Sequence, residues 1–450
     1  MTPVASPDTI AAIATPPGRG GIGVVRVSGT GAADIARTLV GRLPRPRHAT
    51  LAAFLDADGE TIDQGLALYF PAPASFTGED VLELQGHGGI QVMERLLARV
   101  LSLGARLAEP GEFTQRAFLN GKIDLVQAEA IADLIDSGSR AAARAAMRSL
   151  TGLFSRQVRA LAERITTLRV MLEAALDFPE EDGDFALDAV PATALDEMQR
   201  DLARLLQDAR QGRLLQEGMN LVIAGQPNAG KSSLLNALAG YEAAIVTPVA
   251  GTTRDLVREQ VAFAGVPVQL VDTAGLREAG DGVEAEGVRR AWQAIARADR
   301  VLLLVDDARG WDPGDQAILD RFPDEVEVTL VYNKIDLSGR PPGPVADSRP
   351  PALAVSARTG AGLAALRQSL VQAAGGTCEG VFIARRRHLD ALHRTQAHLR
   401  AARARCVDGD GIELVAEELR LGQAALGEIT GEVTPDDLLG EIFSQFCIGK

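Results

Sequence analysis

Apolar spacing changes character three times along the chain. Over roughly the first 120 residues, short β-like runs alternate with helical stretches. Residues 22–27 and 66–70 read as strands, 75–84 enters a third that His87, Gly88 and Gly89 end, and 90–101 has helical spacing. From Asp124 to about residue 218 the pattern predicts nearly continuous helix. Phe154, Val158, Leu161, Ile165, Leu168 and Leu172 recur at alternating four- and three-residue steps, the seam of packed helices. Pro179 and Gly183 break this run, and a second helix carries Leu195, Met198, Leu202 and Leu205. Buried-strand runs then follow at 221–224, 268–271, 301–305 and 329–332, with a proline-rich surface loop at 341–351. Residues 385–405 and 412–426 return to helical spacing. The pattern predicts a multidomain α/β plus α chain: an α/β domain at 1–120, a helical domain whose parts are 121–217 and 377–450, and an α/β domain at 218–376 inserted between them.

The inserted segment carries the strongest chemistry. The run 221–224 leads into Gly225-Gln226-Pro227-Asn228-Ala229-Gly230-Lys231-Ser232-Ser233 and then an amphipathic stretch, the strand, loop and helix of a phosphate-binding loop. Gly225 and Gly230 let backbone N–H groups turn inward, Lys231 supplies a point charge for β/γ phosphates, and Ser232 offers a hydroxyl to Mg²⁺. The strand at 268–271 runs into Asp272-Thr273-Ala274-Gly275, where the carboxylate reaches Mg²⁺ through water and the Gly275 N–H reaches a γ-phosphate. Asn333-Lys334-Ile335-Asp336 follows the strand at 329–332; the Asp336 carboxylate can accept the two hydrogen bonds that guanine N1–H and its 2-amino group donate, a pair adenine lacks. Ser356-Ala357-Arg358 completes the series as a loop able to meet guanine O6 through backbone N–H. In this order the motifs predict a GTP-binding domain. The glycines at 18, 20 and 21 precede their strand, the reverse of a dinucleotide fold.

Composition narrows the remaining possibilities. A net charge of −14 excludes a sequence-wide electrostatic grip on nucleic acid, so RNA contact must be local or shared with a partner. Cys378, Cys406 and Cys447 are scattered and odd in number, without disulfide or zinc spacing, and fit a reducing cytosol. No apolar run approaches the roughly 18 residues of a membrane span, and no signal pattern opens the chain. A cytoplasmic protein is the expectation.

Taken together, ATPPGRGG at 14–21, SFTGEDVLELQGHGG at 75–89, PGEFTQRAFLNGKIDLVQAEA at 110–130, the phosphate loop, GTTRD at 251–255, DTAGLRE at 272–278 and the terminal CIGK resemble the tRNA modification GTPase family MnmE, also called TrmE, over essentially the whole length. The resemblance implies a Ras-like G domain that hydrolyses GTP with Mg²⁺ bound at Ser232 and Thr253. It implies a homodimer joined through the N-terminal domain, and a heterotetramer with an FAD-dependent partner, MnmG, that modifies the wobble uridine (U34) of certain tRNAs at carbon 5. The place of the Ras-type catalytic glutamine holds Leu276, which cannot hydrogen-bond water. The resemblance assigns water positioning to Glu284; read alone, Glu284 is a solvated glutamate on a charged loop. It also implies K⁺ in place of an arginine finger, bound by the Asn228 side chain and by carbonyls of Thr247, Val249 and Thr252 within the loop Thr247-Pro248-Val249-Ala250-Gly251-Thr252. Pro248 departs from the acidic residue of the family, a change that a backbone ligand survives. Read alone, Asn228 is a turn former after proline.

The N-terminal segment resembles the folate-binding fold of glycine-cleavage T-protein. The resemblance implies a reduced folate such as 5-formyl-tetrahydrofolate, with Glu83 on the pterin and Arg26, Lys122 and Lys450 as cationic contacts. Read alone, Arg26 and Glu83 are equally cross-strand partners and Lys122 a surface lysine. CIGK departs from a lipidation box at Gly449 and Lys450, so lipidation is not expected. The resemblance implies that Cys447 and Lys450 reach the folate site; read alone, Cys447 is equally a buried inert cysteine, and the role of its thiol stays open. His87 reads as a turn residue. Arg385, Arg386, Arg387 and His388, with Arg394, Arg400, Arg403 and Arg405, form the most basic stretch, a face for tRNA or a partner, or simply a solvated helix. A regulatory switch in ribosome assembly is the alternative function. It normally brings a basic RNA-binding module, which the sequence does not display.

Overall fold

The computed structural model describes residues 8–177, 192–239, 258–263, 266–272, 289, 292–296, 298–323, 326–373, 382–408, 411–432, 436–444 and 446–449. They form two compact units: Met1–Ala132 with Ser149–Gln199 and Ala391–Lys450, and Asp133–Arg148 with Arg200–Asp390.

The first unit contains a six-stranded sheet made of β1 (Ile10–Ile13), β2 (Gly20–Ser28), β3 (Thr50–Leu55), β4 (Thr61–Phe70), β5 (Val81–Gly88) and β6 (Arg106–Leu107), in the order β3-β4-β5-β2-β1-β6. All pairings are antiparallel except β1 with β6. Strand alternation sends Val25, Val27, Ala67, Leu82 and Leu84 to one face, where they pack with Ile35 and Leu39 of the helix Ala32–Val40 and with Met93, Leu96 and Val100 of the helix Ile90–Ser102. Arg26 and Glu83 are register partners on β2 and β5. The strand β5 ends at Gly88, within the stretch His87 to Gly89 expected to end it; His87 itself lies in the strand and not in a turn, with Asp63 on β4 accepting from its backbone N–H at 2.7 Å and contacting its ring at 2.8 Å.

The helical seam forms as its spacing predicts. Phe154, Val158, Leu161, Ile165, Leu168 and Leu172 of the helix Leu153–Asp177 are all at most 5% exposed, as are Leu195, Met198 and Leu202 on the next helix. The long helices Arg386–Asp408 and Ile412–Thr430 complete the bundle, with Gly422 placing its backbone against His398 and Thr395. At the chain end the helix Asp436–Ser444 puts Ile442 and Phe443 with Phe446 against Leu125, Ala128 and Phe118. Gly111 donates to the Cys447 carbonyl at 3.4 Å, and a side chain at Gly449 would collide with the Ile13 carbonyl.

The second unit holds a seven-stranded sheet: β7 (Met219–Gly225), β8 (Arg258–Phe263), β9 (Val266–Asp272), β10 (Arg300–Asp306), β11 (Glu327–Asn333), β12 (Gly343–Val345) and β13 (Ala352–Ala354), ordered β12-β13-β11-β10-β7-β9-β8. The pairings are parallel except at the two edges, β8 with β9 and β12 with β13. The central strands β7 and β10 carry continuous apolar runs, Leu221–Ala224 and Val301–Val305, because both faces are covered. Leu221, Ile223, Leu302 and Leu304 enter one core cluster, and Val222, Ala224, Val301 and Leu303 the other. Ala145 and Ala146 of the helix Arg140–Leu150 join the first cluster. Strand β12 lies inside the stretch expected to be a loop. Its Pro344, which has no N–H to donate, is tolerated because the strand is at the sheet edge. Strand order reverses around β7, and that switch point fixes where a ligand can enter, at the carboxyl ends of β7 and β10.

Candidate nucleotide site

The loop after β7 has the geometry that its glycines demand. Gly225 has φ +145°, and a Cβ there would stand 2.4 Å from the Leu304 carbonyl oxygen of the neighbouring strand. Gly230 has φ +97°, and a Cβ there would stand 2.3 Å from Asn333 Nδ2. Asn228 takes a left-handed conformation, φ 64°, with its side chain exposed, consistent with the turn reading. Ala229 is buried behind the loop. Lys231 opens the helix Lys231–Ala239 and donates from Nζ to the carbonyls of Gly225 and Gln226, both at 3.0 Å. Ser232 and Ser233 follow on the exposed first turn, so the N–H end of a nine-residue helix and one ammonium group converge on the loop.

The second wall comes from the ends of β11 and β13. Asn333, 2% exposed, donates from Nδ2 to the Ala229 carbonyl at 2.9 Å and accepts from the Ala357 N–H at 3.0 Å, tying the phosphate loop to the loop Ser356-Ala357-Arg358. Lys334, with φ 66°, donates to the Asn228 carbonyl and to Asp306, each at 2.6 Å. Asp336 accepts from the Ser356 hydroxyl at 2.6 Å and pairs with Arg358 at 2.6 Å. The Ser356 hydrogen bond, aided by the Arg358 charge, holds the Asp336 carboxyl below the usual carboxylate range. A carboxylate has about four acceptor positions, so an ionised Asp336 retains capacity for two further donors. Asp272 ends β9 opposite Ile223 of β7, at the same sheet edge.

Thr247, Pro248, Val249, Ala250, Gly251, Thr252, Thr253, Thr273, Ala274, Gly275, Glu284 and Lys450 lie outside the described residues. In the first unit, Arg26 and Glu83 form an ion pair, Nε to Oε1 3.0 Å and Nη2 to Oε1 2.9 Å, as the cross-strand reading has it. The Arg26 guanidinium also lies 5.9 Å from the Phe76 ring and 5.8 Å from the Phe113 ring. Lys122 is separate from this pair and donates to the Pro73 carbonyl at 2.9 Å. Cys447 is exposed. Four of the seven arginines in the basic stretch are paired with carboxylates from other helices. Arg385 pairs with Asp133, Arg394 with Glu428, Arg403 with Asp196 and Arg405 with Glu418, while His388 is buried and accepts from the Arg385 N–H.

Sequence reasoning missed Asp306 and the side-chain role of Gln226. Asp306 closes β10, and the sequence gives it no motif; only the register pairing Asp306 with Asn333 brings it beside Lys334. Gln226 occupies a variable slot of the loop pattern, yet its amide donates to Asp312 at 2.5 Å and to Asp315 at 3.2 Å.

A phosphate loop at the switch point, bridged by a buried asparagine to a carboxylate able to read guanine, defines a P-loop GTPase. A family model described as "MnmE helical domain" matches residues 125–447, and one described as "GTP-binding protein TrmE N-terminus" matches residues 9–122. The proteins named tRNA modification GTPase MnmE from Dechloromonas aromatica and Laribacter hongkongensis are each 57% identical to the chain, over 446 and 447 residues, covering 98% of it and 99% of their own length. That of Nitrosomonas europaea is 55% identical over 449 residues, 99% of the chain and 100% of its own length. The chain belongs to the tRNA modification GTPase MnmE family.

Proposed function

We propose that the chain is a K⁺-dependent GTPase that modifies the wobble uridine of tRNA at carbon 5, giving aminomethyl- or carboxymethylaminomethyl-uridine, together with an FAD-dependent MnmG partner and a reduced-folate one-carbon unit. The observation that carries this reading is identity of 55–57% sustained over essentially the entire length of relatives named for tRNA modification. A G domain used only as a switch would not require both flanking domains to be kept. This disfavours the ribosome-assembly alternative.

At the nucleotide site, Lys231 and the helix N-terminus hold the phosphates, and Asp336 with the Ser356–Arg358 loop selects guanine. Ser232 and Thr253 would hold Mg²⁺, which neutralises phosphate charge. Among the described residues no group of three or more His, Cys, Asp or Glu could hold a metal ion, which suits cations bound chiefly through hydroxyls, carbonyls and the nucleotide itself. Asn228 exposes a hard amide oxygen beside the loop, and with Thr247, Val249 and Thr252 would hold K⁺, whose charge takes the place of an arginine finger. Glu284 orients the attacking water, the role Leu276 cannot fill. Hydrolysis is then cooperative with transient pairing of two G domains.

At the N-terminal domain, 1–120, Arg26 and Glu83 would bind the folate, with Lys122 and Lys450 contributed by the segments 121–217 and 377–450. The ring of Phe76 beside Arg26, 39% exposed, suits a flat heterocycle, while Phe113 on the other side of the guanidinium is buried and backs the site. Leu51 and Leu66, register partners on β3 and β4, are 64% and 37% exposed and favour self-association through this domain as a homodimer. Among the described residues no helix is long and apolar enough to cross a membrane, which is compatible with work in the cytoplasm. The division 121–217, 218–376 and 377–450 is proposed for the remaining domains.

The test is nucleoside analysis of tRNA from cells in which the chain is replaced by Lys231→Ala. The expected result is loss of the C5-modified wobble uridine with the unmodified base in its place. Undiminished modification would overturn the proposal.

A further inference from the structure

The helix Pro313–Leu319 begins with a capping box that also clamps the phosphate loop. Asp312 accepts from the Gly314 N–H at 2.7 Å and the Asp315 N–H at 3.3 Å, while Asp315 accepts from the Asp312 N–H at 3.3 Å. The same two carboxylates receive the Gln226 amide, at 2.5 Å from Asp312 and 3.2 Å from Asp315. A Cβ at Gly314 would stand 2.7 Å from Gln226 Nε2, so glycine there keeps the amide's approach open. Asp315 is 3% exposed, and its burial pushes its carboxyl upward, whereas the Gly314 N–H and the Gln226 amide hold the Asp312 carboxyl down. The clamp matters to the nucleotide site because of the Gln226 main chain. Its carbonyl accepts from Lys231 Nζ at 3.0 Å and from the Ala229 N–H at 3.3 Å, so a displaced Gln226 would take with it one of the two carbonyls that orient the lysine. The clamp is possible because β7 and β10 are parallel neighbours whose following loops leave the same sheet edge.

We infer that Gln226, Asp312 and Asp315 are positioning residues that fix the phosphate loop and aim Lys231, making the N-terminus of the helix Pro313–Leu319 a determinant of nucleotide affinity although it contributes no ligand to the nucleotide.

The full chain carrying Gln226→Met, Asp312→Asn, Asp312→Ala or the double Gln226→Met/Asp312→Ala tests this. The readouts are dissociation of a fluorescent N-methylanthraniloyl GDP and steady-state kcat and KM for GTP. Methionine keeps the side-chain length and removes the amide. Asparagine keeps an oxygen to cap the helix but gives up the charge. Hydrogen bonds to a charged acceptor predict roughly a 10-fold faster GDP release and higher KM for Gln226→Met, with kcat changed far less. Asp312→Asn should fall between wild type and Asp312→Ala, and the double variant should lose no more than the larger single loss. Release rates unchanged by Gln226→Met, or fully additive losses in the double variant, would overturn the inference. Because Gln226→Met leaves the capping box intact, a helix that unfolds in Asp312→Ala does not decide the outcome.

Discussion

Replacing Asn333 by alanine should damage nucleotide binding by untying the two loops that its side chain bridges. The side chain is 2% exposed and makes two hydrogen bonds, to the Ala229 carbonyl and from the Ala357 N–H, at 2.9 and 3.0 Å. Alanine leaves both backbone groups without these partners in a buried setting, and each such loss costs about 1–3 kcal/mol. Part of that cost is recovered if the two loops relax, and the void left against Gly230 permits it, so a net of about 2–3 kcal/mol is expected, on the order of 30- to 150-fold in an equilibrium constant. That cost divides between folding of the second unit and guanine-nucleotide affinity. The two assays are urea unfolding followed by tryptophan fluorescence, since both tryptophans, Trp292 and Trp311, lie in that unit, and equilibrium titration with fluorescent GDP. Asn333→Asp keeps the acceptor for Ala357 but turns an oxygen toward the Ala229 carbonyl, so it should be no better than alanine in binding. If Asn333→Ala binds GDP within twofold of wild type and unfolds at the same urea concentration, the bridging role is refuted.

Three further outcomes follow from the same geometry. Gly230→Ala combines an unfavourable φ with a Cβ 2.3 Å from Asn333 Nδ2, and should weaken GDP binding at least as much as Asn333→Ala in the same titration. Arg116, buried and paired with Glu112, Glu79 and Asp8, should cost about 3–5 kcal/mol when replaced by methionine, because the carboxylates are left uncompensated; hydrogen exchange at β2 and β5 should report it. Burial alone would push the Glu112 carboxyl up, but Arg106, the Glu109 N–H and Arg116 together hold it below its ordinary value of 4.5. Since the folded value is the depressed one, the stability Glu112 contributes is complete above about pH 4.5 and disappears as pH falls through the folded value. Glu112→Gln should therefore lower stability at neutral pH and flatten its loss in acid, measured by melting temperature against pH.

The chemistry of the second unit was legible where residue type and chain order coincide. Glycines at 225 and 230, Lys231, Asn333 and Asp336 each occupy a slot that only one or two residue types can fill, and the strands between them are apolar on both faces. Likewise, six residues from Phe154 to Leu172 revealed a buried seam through period alone. What escaped the sequence depends on pairing between distant segments. Strands β1, IAAI, and β3, TLAAFL, are built around alanine pairs and show no alternation of apolar and polar positions that would mark a strand. Strand β12 was hidden by Pro344, whose tolerance depends on edge position. Asp306 and the Gln226 clamp are ordinary polar residues until strand register places them side by side. The arginine-rich stretch looked like an open basic face, but its counter-charges Asp133, Asp196, Glu418 and Glu428 come from other helices. Glu284 and the 247–253 loop, for which the resemblance supplied the roles, lie outside the described residues.

The proposed mechanism has hydrolysis rely on a monovalent cation and a glutamate where other GTPases use arginine and glutamine. GTP turnover by the full chain in KCl against NaCl at matched ionic strength, with Asn228→Ala and Glu284→Ala alongside, tests it most directly. Strong stimulation by K⁺ over Na⁺ is expected, with the stimulated rate lost in both variants by about 10²-fold, the scale of removing one preorganised transition-state contact. A rate indifferent to the cation, or a Glu284→Ala variant as fast as wild type in KCl, would contradict it.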